Sequence, residues 1–298
     1  MRSSGSLYSA AAALALLVAP SPADAEPVVS FRDDAVVPHV LAFGGNPVGA
    51  GSLIDLATGA VILDEALVFG PGLEDVDAVH LLGDGELLFS TTTAAFIDGV
   101  SYSGGDVIRF DPGDGSHSLA FSVADFDLST TNVDAVHRLS TGPHAGRLLL
   151  STASVASLGG IVMRPGDLVA YDTGSKSAVL VFDQDLITGT AAQKDVDAVH
   201  VLPSGDLLLS VALSGGSLGG LTLEKQDLIL YDPSTGVAMV ALDGDGLFDG
   251  TTADLNALSL DSVQLPALSV FGVLMLGLAL FGSGAASLTR TGDRFQVA

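Results

Sequence analysis

The chain contains no cysteine and no tryptophan, carries 11 Lys and Arg against 35 Asp and Glu, and is only 6% aromatic over 298 residues. Each shortage excludes something. Without cysteine there is no disulfide framework and no thiolate nucleophile, so the fold must hold by its core and by closure. A formal net charge of −24 leaves too few clustered cations to neutralise phosphates, which argues against nucleic acid and anionic lipid surfaces as partners. Cations are the natural counterpart of such a chain, although the same acidity also serves solubility. Scarce aromatics leave few stacking platforms for sugars. His-Glu-x-x-His and the phosphate-binding loop are absent as well, which removes two common catalytic signatures.

What the chain does have is a repeated phrase. Asp75-Val-Asp-Ala-Val-His80 recurs as Asn132-Val-Asp-Ala-Val-His137 and Asp195-Val-Asp-Ala-Val-His200, with a worn copy at Asp254-Leu-Asn-Ala-Leu-Ser259. The spacing makes a repeat of about 60 residues. Each unit holds four short β-prone runs divided by turn residues. In the third full copy they are Ala198–Leu202, Asp206–Ala212, Asp227–Tyr231 and Val237–Leu242. Gly83-Asp-Gly85 and Pro203-Ser-Gly205 supply hairpin chemistry between the first two strands. Asp111-Pro-Gly-Asp-Gly115, Asp172-Thr-Gly174 and Asp232-Pro-Ser-Thr-Gly236 predict turns in which an Asp side chain caps the backbone. Between strands two and three lies an insert with a glycine before an apolar-polar-apolar triplet, as in Ser157-Leu-Gly-Gly-Ile-Val-Met163, which reads as an extra hairpin arm. The Ser-Leu-Gly-Gly phrases belong to these arms.

Four antiparallel strands at even spacing describe a propeller blade. The expected fold is therefore an all-β propeller of four four-stranded blades within residues 26–261. The blades cover about 75–130, 132–193, 195–253, and 36–73 completed by 254–261. In that first blade the strands are Val40–Phe43, Ser52–Asp55 and Ala60–Leu63, and Leu255–Leu260 supplies the missing inner strand, closing the ring between the termini and removing an open sheet edge. A β-solenoid fits a 60-residue period poorly, since its rungs are about 20–30 residues. The Asp-Ala opening of each inner strand, the run Glu86-Leu-Leu-Phe89 and the strand ends Arg109-Phe-Asp-Pro112 and Leu230-Tyr-Asp-Pro233 resemble the hemopexin repeat. That likeness implies a four-bladed propeller. The chain departs from it in having no Trp, no closing disulfide and a longer insert.

The flanks read differently. Arg2, an apolar run from Leu7 to Ala19 and Ala23-Asp-Ala25 form a secretory signal over residues 1–25. Ser262 to Thr289 carries no charge, and a helix over 265–288 is long enough to span a bilayer. Leu265, Pro266, Ala267, Leu268, Ser269, Phe271 and Gly272, followed by an apolar helix and Arg290, resemble the IPTLS type of C-terminal sorting signal within residues 262–298. The resemblance implies an exosortase-like protease as partner, a Gram-negative envelope as location, and a membrane tether that is at least transient. The two separated arginines of the tail place the repeat domain outside.

For chemistry, Asp77, Asp134 and Asp197 stand at the mouths of three inner strands, with Asn256 in the fourth, and Asp75, Asn132, Asp195 and Asp254 precede them in turn. Exit loops add Asp183, Asp185, Asp243 and Asp245. Six or more hard oxygens without sulfur favour Ca2+ at an acidic rim, and turn capping is the competing role. Strict strand alternation puts His80, His137 and His200 on the face opposite those aspartates. Interblade packing is the role expected of the histidines, a threefold metal site the alternative. The sequence thus reads as an exported, envelope-anchored binding or structural module, steadied by Ca2+, with an extracellular protein or glycan as its partner. A hydrolase or lyase using rim carboxylates is the second reading.

Overall fold

The computed structural model describes residues 27–31, 52–55, 61–63, 68–69, 76–127, 131–244 and 255–260. These residues form an all-β, propeller-like array of antiparallel sheets. In chain order β1 (Pro27–Phe31), β2 (Leu53–Asp55) and β3 (Val61–Leu63) come first. They are followed by β4 (Val76–Leu81), β5 (Leu87–Thr91), an arm of β6 (Ala95–Ile97) and β7 (Val100–Tyr102), then β8 (Val107–Phe110) and β9 (His117–Phe121). The next unit has β10 (Val133–Arg138), β11 (Leu148–Thr152), an arm of β12 (Ala156–Leu158) and β13 (Ile161–Met163), β14 (Leu168–Asp172) and β15 (Ser177–Phe182). After β16 (Ile187–Thr188) the last full unit runs β17 (Ala198–Val201), β18 (Leu207–Ser210), an arm of β19 (Ser217–Leu218) and β20 (Leu221–Thr222), β21 (Leu228–Asp232) and β22 (Val237–Leu242). The final strand is β23 (Leu255–Leu260).

Sheet orders are β4-β5-β8-β9, β10-β11-β14-β15, β17-β18-β21-β22 and β23-β1-β2-β3. The repeated phrase thus forms the first strand of three sheets, and its worn copy heads the fourth. The partner of β23 is β1, with Val28 opposite Ser259 and Val29 opposite Leu258. This corrects the reading that began the first blade at residue 36: its second strand is Pro27–Phe31. The expected strand Val40–Phe43 lies outside the described residues, as do Asp75, Asp245, Asp254, the segment 1–25 and the whole sorting tail 262–298. Among the described residues no helix is long and apolar enough to cross a membrane.

Why the phrase becomes an inner strand follows from its composition. Val-x-Ala-Val alternates small and β-branched residues, which suit a strand covered on both faces. All of Val76–His80 and Val133–His137 are buried. These first strands pack on one another, β4 on β10, β10 on β17, β17 on β23 and β23 on β4. Apolar layers such as Phe89, Ile108 and Val79 in one cluster and Leu149, Leu209 and Ile229 in another fill the space between sheets. Each such side chain contributes about 1.5–3 kcal/mol on burial.

The hairpin arms serve as clamps. Phe126, in the exit loop after β9, bridges to Leu158 in the arm of the next unit. One unit later β16 pairs with β19, Ile187 opposite Leu218. Close backbone approach reinforces the same joints. Gly166 sits at φ +86°, and a Cβ there would collide with the Lys194 carbonyl oxygen. Only glycine lets the two backbones meet. The Asp-capped turns form as expected at Asp232, whose Oδ1 accepts from Ser234 N at 2.8 Å. In the middle copy the left-handed position falls on Lys176, φ 58°, rather than on Gly174.

Candidate functional site

The first strands of three units bring their histidines to one place. Ring centroids are 4.2 Å apart for His80 and His137, 4.6 Å for His137 and His200, and 6.0 Å for His80 and His200. One nitrogen from each ring can be chosen so that all three lie within 4.8 Å of one another. All three side chains are buried, at the floor of a pocket of about 340 Å3. Its walls include Asp84, Arg138, Leu139 and Ser140. Three equivalent sequence positions on packed inner strands converge here because those strands surround a common axis.

The fourth equivalent position explains what the ring does for packing. Ser259 Oγ accepts from Leu81 N at 2.7 Å, and His200 Nδ1 accepts from Leu260 N at 3.2 Å. In each case the side chain of one first strand receives the backbone N–H next to the equivalent residue of its neighbour. His80 and His137 depart from this rule: their Nδ1 atoms are buried without a hydrogen-bond partner among the described residues. Interblade packing therefore accounts for one histidine of the three.

Burial keeps the trio neutral. Desolvation, with the Arg138 guanidinium second, pushes His80 down to about 4. Desolvation, with His80 second, pushes His200 down to about 3. His137 is lowered well below its ordinary value by burial and by its two neighbours. At neutral pH all three are unprotonated imidazoles, each with a lone pair to offer.

The aspartates of the phrase sit at a second level. Pairing shifts between Val76 and Ala78, and between Val133 and Ala135, so Asp77 and Asp134 occupy β-bulges. A bulge interrupts the alternation of faces. Ser90 stands opposite Ala78, and its hydroxyl donates to Asp77 Oδ1 at 2.9 Å and approaches the Val133 carbonyl at 2.6 Å. This brings the Asp77 carboxylate to the Ala78 and His80 side, correcting the expectation of opposite faces. The two levels remain separate, about 10 Å apart for three residues of strand. Ser210 repeats the arrangement, donating to Asp197 Oδ1 at 2.6 Å and reaching the Leu255 carbonyl.

Between these units the pattern breaks. Asn132 Nδ2 donates to Asp77 across the first joint. The corresponding joint sets Asp195 against Asp134, so burial first, then Asp195, Asp77 and Asp197 raise the Asp134 pKa well above the ordinary value. Asp134 Oδ1 and the equivalent Ser151 Oγ are buried without hydrogen-bond partners among the described residues. Asp77, Asp134 and Asp197 are thus interior groups and not a solvated rim.

Exit-loop carboxylates are matched by protein donors. Asp183 receives Arg164 Nη2 at 2.6 Å, and Asp185 receives Arg164 Nη1 at 2.7 Å and Lys194 Nζ at 2.8 Å. These charge-assisted bonds, Lys194 first, hold Asp185 down to about 2. A further repeated aspartate escaped the sequence reading. Asp106, Asp167 and Asp227, just before the third strands, accept from exit-loop amides of Val123, Gln184 and Gly244 at 2.8, 2.8 and 2.9 Å. Their regular place in Gly-Asp-Val, Gly-Asp-Leu and Gln-Asp-Leu was the signal. The repeated serine closing Leu87–Ser90, Leu148–Ser151 and Leu207–Ser210 was the corresponding signal for the Asp partners.

One catalytic spelling does occur: Gly215-Gly-Ser217-Leu-Gly219 matches Gly-x-Ser-x-Gly. That motif works when the serine tops a strand-to-helix elbow. Ser217 instead lies inside the arm, opposite Thr188 on one side and Thr222 on the other. Among the described residues, His80, His137 and His200 form the one group of three or more metal-ligating side chains whose donor atoms lie this close.

No family model matches the chain, and no curated protein does. Solved structures give partial likenesses. An auxiliary nutrient binding protein from Bacteroides thetaiotaomicron is 12% identical at a TM-score of 0.32, over 66% of this chain and 38% of its own. A structure of a nidogen/laminin complex is 7% identical at a TM-score of 0.35, over 80% and 100%. Virginiamycin B lyase from Staphylococcus aureus is 6% identical at a TM-score of 0.29, over 55% and 54%. The chain spans well under half the length of the nutrient binding protein.

Proposed function

We infer that this chain is an exported, envelope-anchored four-bladed β-propeller that acts as a binding module and not as an enzyme. One observation carries the reading: four first strands pack around one axis and open a pocket of mixed polar and apolar lining at the histidine end. β23 completes the N-terminal sheet and ties the two ends of the array together. Export and anchoring rest on the residues of the flanks, the signal-like start and the sorting-like tail. Asp84, Arg138 and Ser140 give the pocket both charges and a hydroxyl, which suits a polar segment of an extracellular protein or a glycan.

The experiment uses the purified chain in detergent against peptide and glycan arrays, beside a variant whose pocket is plugged by Ser140→Trp with Arg138→Glu. Saturable binding by the parent, lost in an equally stable variant, supports the reading. Turnover of any substrate in a hydrolase and lyase panel overturns it, as does binding that the plug leaves unchanged. Calcium at the acidic residues is part of the same proposal. Melting with and without a Ca2+-selective chelator tests it, and an unmoved midpoint rules out a tight structural site.

A further inference from the structure

We propose that His80, His137 and His200 together bind one divalent transition-metal ion of the zinc class, with its remaining coordination position facing the axial pocket. The inference deepens the binding-module reading and rests on the same pocket.

The geometry is close to what such an ion needs. An ion equidistant from three atoms 4.8 Å apart would sit about 2.8 Å from each, and the zinc–nitrogen bond is 2.0–2.1 Å. Closing that gap takes a shift of less than about 1 Å per ring, within the reach of small side-chain rotations. The donors are right as well. Three neutral nitrogens with no carboxylate or thiolate in the group favour zinc, copper or nickel over calcium or magnesium. Three histidines with one open position is the composition of a metal site that holds an exogenous ligand.

Packing alone leaves part of this cluster unexplained. Burying three imidazoles together costs solvation, and His80 and His137 each bury an Nδ1 with no partner among the described residues. A polar group buried without a bond needs a reason. An ion that takes up those Nδ1 lone pairs would supply the missing partner and leave each ring's proton on Nε2. His200 sets the selectivity. Leu260 N–H donates to its Nδ1, so its proton resides on Nε2, and an ion bound at that Nδ1 must displace the Leu260 amide. Only an ion with strong affinity for nitrogen can displace that arrangement. Arg138, which lines the same pocket, opposes a bare cation and favours an anion on the open position.

The test is run on the full chain in detergent, stripped with chelator and titrated with ZnCl2 by calorimetry. One ion per chain is expected. Single His80→Gln, His137→Gln and His200→Gln variants should each weaken binding by more than the roughly 10–100-fold that loss of an outer partner costs. His117→Gln and His144→Gln should leave it unchanged. X-ray absorption of the zinc-loaded parent protein counts imidazole ligands directly, needs no variant, and should give three. Fewer than three imidazoles, no stoichiometric binding, or equal affinity in a folded triple variant overturns the site. If zinc does not bind while pocket-dependent array binding persists, the metal falls and the binding module stands. Substrate turnover would instead fell the binding-module reading whatever the metal does.

Discussion

Replacing Ser90, Ser151 and Ser210 by alanine, one at a time, should give three different answers from one chemical change. Sequence makes these serines equivalent; structure does not. Ser90 and Ser210 are fully buried, and each hydroxyl lies between a buried aspartate and a backbone carbonyl of the next first strand. A hydroxyl has one proton, so we count one bond to a charged group, worth about 1.5–3 kcal/mol, lost on truncation. For a domain of this size that lowers the melting midpoint by about 3–12 °C. Ser151 is just as buried, yet its Oγ has no partner among the described residues. Its removal should be neutral or stabilising, within about 1 kcal/mol. Urea unfolding at pH 7 in the presence of chelator measures all three. Equal losses at the three sites, or the largest loss at Ser151, would refute the claim that the Asp134 joint is built differently from its neighbours. An Asp77→Asn, Ser90→Ala double-mutant cycle then isolates the pair and should return a coupling of about 1 kcal/mol or more.

Asp195→Asn copies the Asn132–Asp77 pairing into the joint where Asp134 faces Asp195, so it should stabilise the chain by about 1 kcal/mol at pH 7. The gain should shrink as acid protonates the carboxylates, and a loss of stability at neutral pH would count against the like-charge account. Acid itself should weaken the metal-free fold through the histidines. His80 is held at about 4 in the fold against 6.5 unfolded, so the unfolded chain binds the extra proton between those values. Stability falls as pH drops through that window, by about 3 kcal/mol from pH 7 to 4 for this residue. His80→Gln should flatten the curve of urea midpoint against pH, and an unchanged slope would be the contrary result. Gly166→Ala forces a Cβ against the Lys194 carbonyl at positive φ. It should cost about 3 kcal/mol or more, whereas Gly85→Ala, with open space around its Cβ, should show only the smaller cost of backbone strain.

The sequence alone determined the period, the four strands of each of the three full units, the hairpin arms and the place of Leu255–Leu260 beside an N-terminal sheet. These are local or periodic properties, written in turn glycines and β-branched runs. It also marked the histidines as equivalent. Pro27–Phe31 escaped because its strand character depends on pairing with a segment more than two hundred residues away. Only tertiary structure decided that the equivalent histidines meet. Equivalence along a chain becomes contact only when the units curve about one axis at a short radius. It decided the fate of the aspartates too. A one-residue bulge cancels the alternation that a flat strand would impose, and Arg164, Lys194 and the buried serines, distant in sequence, occupy carboxylates that spacing alone had offered to a cation.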